Sequence, residues 1–423
     1  MGIPYYVASL IKSHKHIQKD VTRVEADVLG IDFNCFIHTY LKASNPIGSI
    51  VVALHELLTN VVQAKKVYIA FDGLVPMAKM VQQRYRRFRR ADKTEDFDKH
   101  QISPGTPYMK ELAKTLRFIF PDVIISDTLE RGEGEHKIFL WLRTLPENER
   151  RNICIYGLDA DLVLIALAQS DVGDIRLLRE KQDEGFSTFS VSGLKAVLPL
   201  DVEQYLRMSI MCFGNDFMPN LPMFSLREDG YARALFYADK DTAHKDELKV
   251  FLKRAKESDR RIVAADGHAL EQRYACHLMD GVLDWEPVVR AFWKTFAWTM
   301  HYFKTSEVLD WEWYYPYPEA PLMTVLNDYE IFAEFTWEHP EPKFTVEDQL
   351  RFILPSHSLT ATGLSSVHPD ELYDEQRDTR HPFMKRFAWE CDPYMSLPCG
   401  QLTSVSEIHL VPTPIQPVVR CQS

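Results

Sequence analysis

Ile153-Cys154-Ile155-Tyr156-Gly157-Leu158-Asp159-Ala160-Asp161 is a β-branched, apolar run that stops at glycine and then delivers two aspartates. It reads as a buried strand with an acidic loop beyond its C-terminal end. The same pattern recurs upstream. Ala26–Ile31 ends at Asp32, Val67–Phe71 ends at Asp72, and Val123–Ser126 is followed by a loop and then by Glu133 and Glu135. Helical stretches, Ile50–Gln63 and Lys110–Phe118 among them, lie between these runs. Strands alternating with helices predict an α/β fold, a mostly parallel sheet flanked by helices. In such sheets ligands bind beyond the C-terminal strand ends, where each of these runs leaves a carboxylate.

The second half reads differently. From about Glu203 the pattern is mainly helical, with charged helices through 240–262, and seven of the eight Trp lie between Trp285 and Trp389. From about Pro393 the chain is rich in Pro and polar residues and is expected to be an extended tail. The expected division is a core over 1–235, a helical second region over 236–392 packed on that core, and a tail over 393–423.

The 423 residues carry 49 Lys and Arg against 60 Asp and Glu, a net charge of −11. A globally acidic chain is not an obvious nucleic-acid binder. Locally the sign reverses, since Lys79 to Ala91 holds six basic residues and no acidic one. Seven scattered Cys, with no C-x-x-C and no zinc-type Cys/His spacing, read as reduced cytosolic thiols. Lys12, Lys15 and Lys19 interrupt any signal-peptide run. No stretch approaches the ~18 apolar residues of a membrane span. The expectation is a cytoplasmic protein without a membrane partner.

Seven acids stand out: Asp32, Asp72, Glu133, Glu135, Asp159, Asp161 and Asp216. Each alone has a plain alternative, as a helix N-cap or, for Asp216 in Gly214-Asn215-Asp216-Phe217, as a turn residue. Together they mean more. Carboxylates crowded at one sheet end repel and raise one another's pKa unless cations neutralise them. Hard divalent ions suit an all-carboxylate set, and zinc would call for His or Cys. Two such ions ~4 Å apart can activate water and stabilise the leaving oxygen of a phosphodiester.

Ala78 to Arg90 has no helix breaker. Lys79, Gln83, Arg86, Arg87 and Arg90 recur at i, i+4, i+7, i+8 and i+11, along one helix face. Val81, Tyr85 and Phe88 lie on another face suited to packing. Such a cationic row can grip a phosphate by charge-assisted bonds. The plain alternative is a solvated basic helix.

The chain resembles the 5′→3′ exoribonuclease family of the XRN type. The matching stretches, in the family's order, are Met1-Gly2-Ile3-Pro4, Asp32 to His38, Phe71-Asp72-Gly73, Ala78 to Arg89, Ser103-Pro104-Gly105-Thr106, Gly132 to Lys137, Tyr156 to Leu162, and Gly214 to Asn220. Trp311 to Tyr317, Ala320-Pro321 and Gln349 to Pro355 look like the family's second conserved region. The resemblance implies a PIN/5′-nuclease-like core over 1–235 and a second region over 236–392 that completes the substrate pocket. It implies that all seven acids are catalytic and hold Mg²⁺ or Mn²⁺, as two ions. It assigns Lys79, Gln83, Arg86 and Arg87 to a pocket for a 5′-monophosphate, and His38 to a stack on the first base. A Trp of the second region completes that stack. Trp298 is the candidate, with Trp293 a rival and a core role open for both.

The implied activity is degradation of 5′-monophosphorylated single-stranded RNA to mononucleotides, by a monomer in the cytoplasm. Arg131 departs from the family, which usually has Pro there. The link between the conserved regions is short, and the family's added C-terminal domains are not matched. So compact a member fits a virus-encoded protein acting in host cytoplasm. Two other classes stay open. One is a structure-specific nuclease cutting DNA flaps, and the other is a non-catalytic RNA-binding scaffold.

Overall fold

A computed structural model describes residues 3–88, 97–181, 185–221, 224, 226, 229–238, 284–317, 319–328, 334–360 and 362–364. Arg90, the charged stretch 240–262 and the tail 393–423 lie outside the described residues, as do the side chains of Tyr85 and Phe88. The chain forms two compact units. The first comprises Met1–Leu198, His301–Glu312 and His339–Pro369, and the second Pro199–Met300, Trp313–Glu338 and Asp370–Ser423.

The first unit is built on a seven-stranded sheet in the order β1-β7-β6-β5-β2-β3-β4. The strands are β1 (Gln18–Val21), β2 (Val24–Asp32), β3 (Val62–Ala70), β4 (Ile124–Ser126), β5 (Asn152–Tyr156), β6 (Asp174–Glu180) and β7 (Phe186–Ser190). Strands β4, β3, β2, β5 and β6 run parallel, as the alternating pattern predicts. The antiparallel edge, β6–β7 and β7–β1, makes the sheet mixed.

β2 is buried along nearly its whole length, with Val28, Leu29 and Ile31 fully covered. A central parallel strand faces helices on both sides, so its sequence is apolar without alternation. Of its three acids, Glu25 is exposed, Asp32 ends the strand, and Asp27 accepts Lys65 Nζ at 2.6 Å and the Asn152 N–H at 2.9 Å. It therefore fastens β2 to both neighbours at the end of the sheet away from the acids.

Helices follow from their caps. α1 is Tyr6–Ser13 and α2 is Phe33–Tyr40. α3 (Pro46–Glu56) starts with Asn45 capping Gly48 N–H and Pro46 in its first turn. The expected helix 50–63 is thus shifted. α3 ends at Glu56, a π turn takes Leu57–Val61, and Val62 already belongs to β3. The β-branched pair Val61-Val62 favours the strand there. α4 (Met77–Phe88) confirms the basic helix. α5 (Pro107–Ile119) is capped by Thr106, with Pro107 in its first turn. α6 (Gly134–Thr144), α7 (Asp161–Ala168) and α8 (Val191–Val197) cover the sheet further.

The second unit, taken by itself, is mainly helical: Val202–Phe213, Gly230–Tyr237, most of Glu286–Thr305, and Met323–Asp328. No helix among the described residues is long and apolar enough to cross a membrane.

Candidate active site

Register sets the site. Asp32 is paired with Ala70, Ala70 with Ser126, and Ile31 with both Ile69 and Tyr156. Four parallel strands therefore end in one row. Asp72 follows Ala70 by two residues and Asp159 follows Tyr156 by three, so both acids leave the sheet on the side where Asp32 stands.

Asp32 is also the N-cap of α2, accepting the Cys35 N–H at 3.4 Å. The plain reading is thus true of this residue without exhausting it. Burial pushes its carboxyl well above the usual range, and the Asp72 and Asp159 carboxylates push it further. Asp72 is held from two sides. Asn34 Nδ2 donates to Oδ2 at 2.9 Å, and the Gly134 N–H donates to Oδ1 at 2.8 Å.

Glu133 precedes α6 but makes no capping bond with its side chain. It accepts Lys79 Nζ on Oε2 at 2.5 Å and Tyr302 Oη on Oε1 at 3.1 Å. Glu135 is raised well above the carboxylate range by burial and by Asp161 and Glu133. Asp161 opens α7 and is 2% exposed. Six of the seven acids thus share one electrostatic neighbourhood. Asp216 belongs to the second unit, in a turn closed by Asn215 N–H to Met218 O and Phe217 N–H to Asn215 Oδ1, both at 2.9 Å.

The donor chemistry fits a hard divalent cation. Every candidate ligand is a carboxylate, and two of them are buried with too much negative charge around them. Among the described residues, no three His, Cys, Asp or Glu side chains are already gathered as a closed ion cage. The fit is therefore one of donor type and charge.

The basic row sits on α4 as its spacing predicts. Lys79 turns to Glu133, joining the row to the acids. Gln83 is 5% exposed, and its Oε1 has no hydrogen-bond partner among the described residues. Arg87 donates to Ser103 Oγ at 3.0 Å, and burial, with Arg86 alongside, pulls its pKa down to about 10. Arg86 is half-buried. Arg84 leaves this face, donating to Phe352 O and lying over the Phe352 ring.

His38 is exposed on α2. Trp298 is fully buried in the second unit, with Phe217 edge-on against it at 5.1 Å. Trp293 is 3% exposed. Both rings are covered, as a core role requires.

Several contributors escaped the sequence reading. Asn34 stands inside a quoted motif yet carries no assigned role there. Lys137 Nζ donates to Asp127 O at 2.8 Å, and burial lowers its pKa to about 8. Gln349 is fully buried, accepts the Val75 N–H at 2.9 Å and donates to Gly73 O at 3.3 Å, so it braces the loop after Asp72. Tyr302 lies four residues beyond Trp298 in the same helix, and that spacing was the available signal.

Residues 1–181 match the family described as the XRN 5′-3′ exonuclease N-terminus. The chain is 28% identical over 307 residues to 5′-3′ exoribonuclease 1 of Saccharomyces cerevisiae, covering 55% of this chain and 20% of that protein. It is 31% identical over 302 residues to 5′-3′ exoribonuclease 2 of Candida glabrata, covering 48% and 30%. The match thus spans less than a third of these relatives' length. Among solved structures, the catalytic core of Rad2 in complex with DNA substrate aligns at 16% identity and TM-score 0.44, covering 88% of this chain and 98% of that one. The T5 D15 protein co-crystallised with metal ions aligns at 10% and 0.34, covering 54% and 84%.

Proposed function

We propose, for a chain whose residues 1–181 match the XRN 5′-3′ exonuclease N-terminus, that it degrades 5′-monophosphorylated single-stranded RNA from the 5′ end to mononucleotides. The observation that carries the reading is the contact between Lys79, first of the basic row, and Glu133 in the acid cluster. It couples a phosphate grip to the groups that would cut the next phosphodiester.

Asp32, Asp72, Glu133, Glu135, Asp159 and Asp161 would hold Mg²⁺ or Mn²⁺, as two ions. Bound there, the ions would supply a water nucleophile at neutral pH and offset charge on the leaving oxygen. The chain's own residues do the rest. Gln83, Arg86 and Arg87 bind the terminal phosphate, and Lys79 exchanges Glu133 for that phosphate. The pocket would exclude a cap or a triphosphate by size and charge. Exposed His38 offers a face to the first base, worth ~1–3 kcal/mol for any sequence. The part of buried Trp298 in that stack, like that of Asp216 in the metal set, rests on the resemblance alone. The protein would work as a monomer in the cytoplasm.

The test uses purified protein, Mg²⁺ and 3′-labelled single-stranded RNA with a 5′-monophosphate or a 5′-triphosphate, with Asp159→Ala as control. Loss of the monophosphate RNA alone, with label passing directly into very short products, is expected. Internal cleavage of both RNAs would overturn the reading in favour of an endonuclease, and faster cutting of a DNA flap would favour the flap-nuclease class.

A further inference from the structure

We infer that Tyr302 is a positioning residue for Glu133, fixing its carboxylate so that Oε2 is the oxygen presented to the cation and substrate. The inference rests on the nuclease reading above and adds a role from the second half of the chain.

Glu133 has different partners on its two oxygens. Oε1 accepts the Tyr302 hydroxyl at 3.1 Å, and Oε2 accepts the Lys79 ammonium at 2.5 Å. The partners differ in freedom. Lys79 is a flexible stem that can exchange its acceptor. Tyr302 is a rigid ring, 1% exposed, whose hydroxyl cannot travel.

The ring is locked from behind. It stacks on the His136 imidazole with centroids 3.7 Å apart and planes 22° apart. His136 is itself 1% exposed, with Nδ1 3.0 Å from Ser306 Oγ. Gln169 Nε2 lies 2.8 Å from the same Oγ and also donates to Phe303 O at 3.1 Å. Ser306 occupies the left-handed backbone region, φ 61°, which is strained for a residue with a Cβ. That conformation ends the helix with the hydroxyl between Gln169 and His136. A strained residue held by two buried partners suits a fixed support better than loose packing.

Neighbours that orient a ligating carboxylate typically change metal affinity or activity ~10–100-fold when removed. Tyr302→Phe keeps the ring and its stack while deleting the donor. In the full chain without RNA, loss of the free Mn²⁺ EPR signal on titration should show half-saturation shifted upward roughly tenfold or more. The melting temperature should stay near wild type. With RNA, kcat should fall while KM changes less than about twofold, since the phosphate pocket is untouched. In a Glu133→Gln background the same change should do little, which is the signature of coupling.

Unchanged Mn²⁺ binding in Tyr302→Phe would overturn the inference. So would a full additional effect in the Glu133→Gln background, because the hydroxyl would then act elsewhere. Tyr302-sensitive Mn²⁺ binding in a chain that degrades no RNA would uphold this inference and sink the substrate reading.

Discussion

The Gly134 N–H donates to Asp72 Oδ1 at 2.8 Å, so the residue between the two glutamates of α6 also holds the acid that follows β3. One peptide unit thus sets three carboxylates against each other. There is no room for a side chain at that point. A Cβ on Gly134 would stand 2.8 Å from Ala70 O and 3.2 Å from Asp32 Oδ1. Gly134→Ala should therefore lower the melting temperature, by overpacking worth ~1–3 kcal/mol, and abolish RNA cleavage. Thermal melting alongside single-turnover cleavage checks both, and wild-type behaviour would mean that the contact opens freely.

Asn34 and Asp72 exchange two bonds, Asn34 Nδ2 to Oδ2 at 2.9 Å and Asp72 N–H to Asn34 Oδ1 at 3.3 Å. Asn34→Ala removes both and leaves Asp72 to Gly134 alone. The expected result is a cleavage rate lower by roughly tenfold or more, with folding retained by circular dichroism. An unchanged rate would show that Gly134 alone suffices.

Arg86 and Arg87 are neighbours with different jobs. Arg87 is tied to Ser103, whereas Arg86 stands half-buried in the same row. Arg86→Ala should erode the preference for 5′-monophosphate over 5′-hydroxyl RNA roughly tenfold, the worth of one charge-assisted bond. The rate on 5′-hydroxyl RNA should hardly move. A preserved preference in competition assays would place the phosphate elsewhere.

Stabilisation by divalent ions should depend on pH with a definite sign. Asp32 and Glu135 are raised, so the folded chain keeps protons there that the unfolded chain has lost above about pH 4. Without metal, this contribution to stability fades as pH rises through the raised values. Cations compete with those protons. The gain in melting temperature on adding Mg²⁺ should therefore grow from pH 5 to pH 8. His136 acts oppositely and without regard to metal. Burial holds its pKa well below the usual value, so it costs stability only as pH falls below about 6.5. A metal gain that is flat with pH would disprove the acid assignment.

Gln349→Leu would leave the buried Val75 N–H without its acceptor, at a cost of ~1–3 kcal/mol. Denaturant unfolding should show that loss, together with slower cleavage, because the braced loop carries Asp72.

The sheet was legible wherever a strand was apolar throughout. Ala26–Ile31 and Ile153–Tyr156 fall within two residues of the bounds of β2 and β5, whose buried runs are apolar, while Val67–Phe71 catches only the apolar C-terminal half of β3, which starts at Val62 and opens with Gln63, Lys65 and Lys66. β1, β6 and β7 were not read. Gln18–Val21 and Asp174–Glu180 mix polar and apolar residues, as strands at or near an edge can. The positions of six acids were legible because each ends or follows a strand or stands at the start of a helix, whereas Asp216 stands in a turn. Tyr302 and Gln349 were not, since their partners lie 169 and 274 residues away along the chain. For Trp298, residue type suggested a stacking surface, but only packing reveals that both of its faces are covered.

The first unit is stitched from three separated stretches, and this has a consequence for synthesis. A ribosome that has released 198 residues has delivered every strand and six acids, but neither the hydroxyl that steadies Glu133 nor the amide that braces the Asp72 loop. Those arrive with residues 302 and 349. A growing chain would thus carry these acids without those contacts until Tyr302 and Gln349 had been added. On the proposed function, a protein built in this order would acquire its cutting groups before the contacts that steady them.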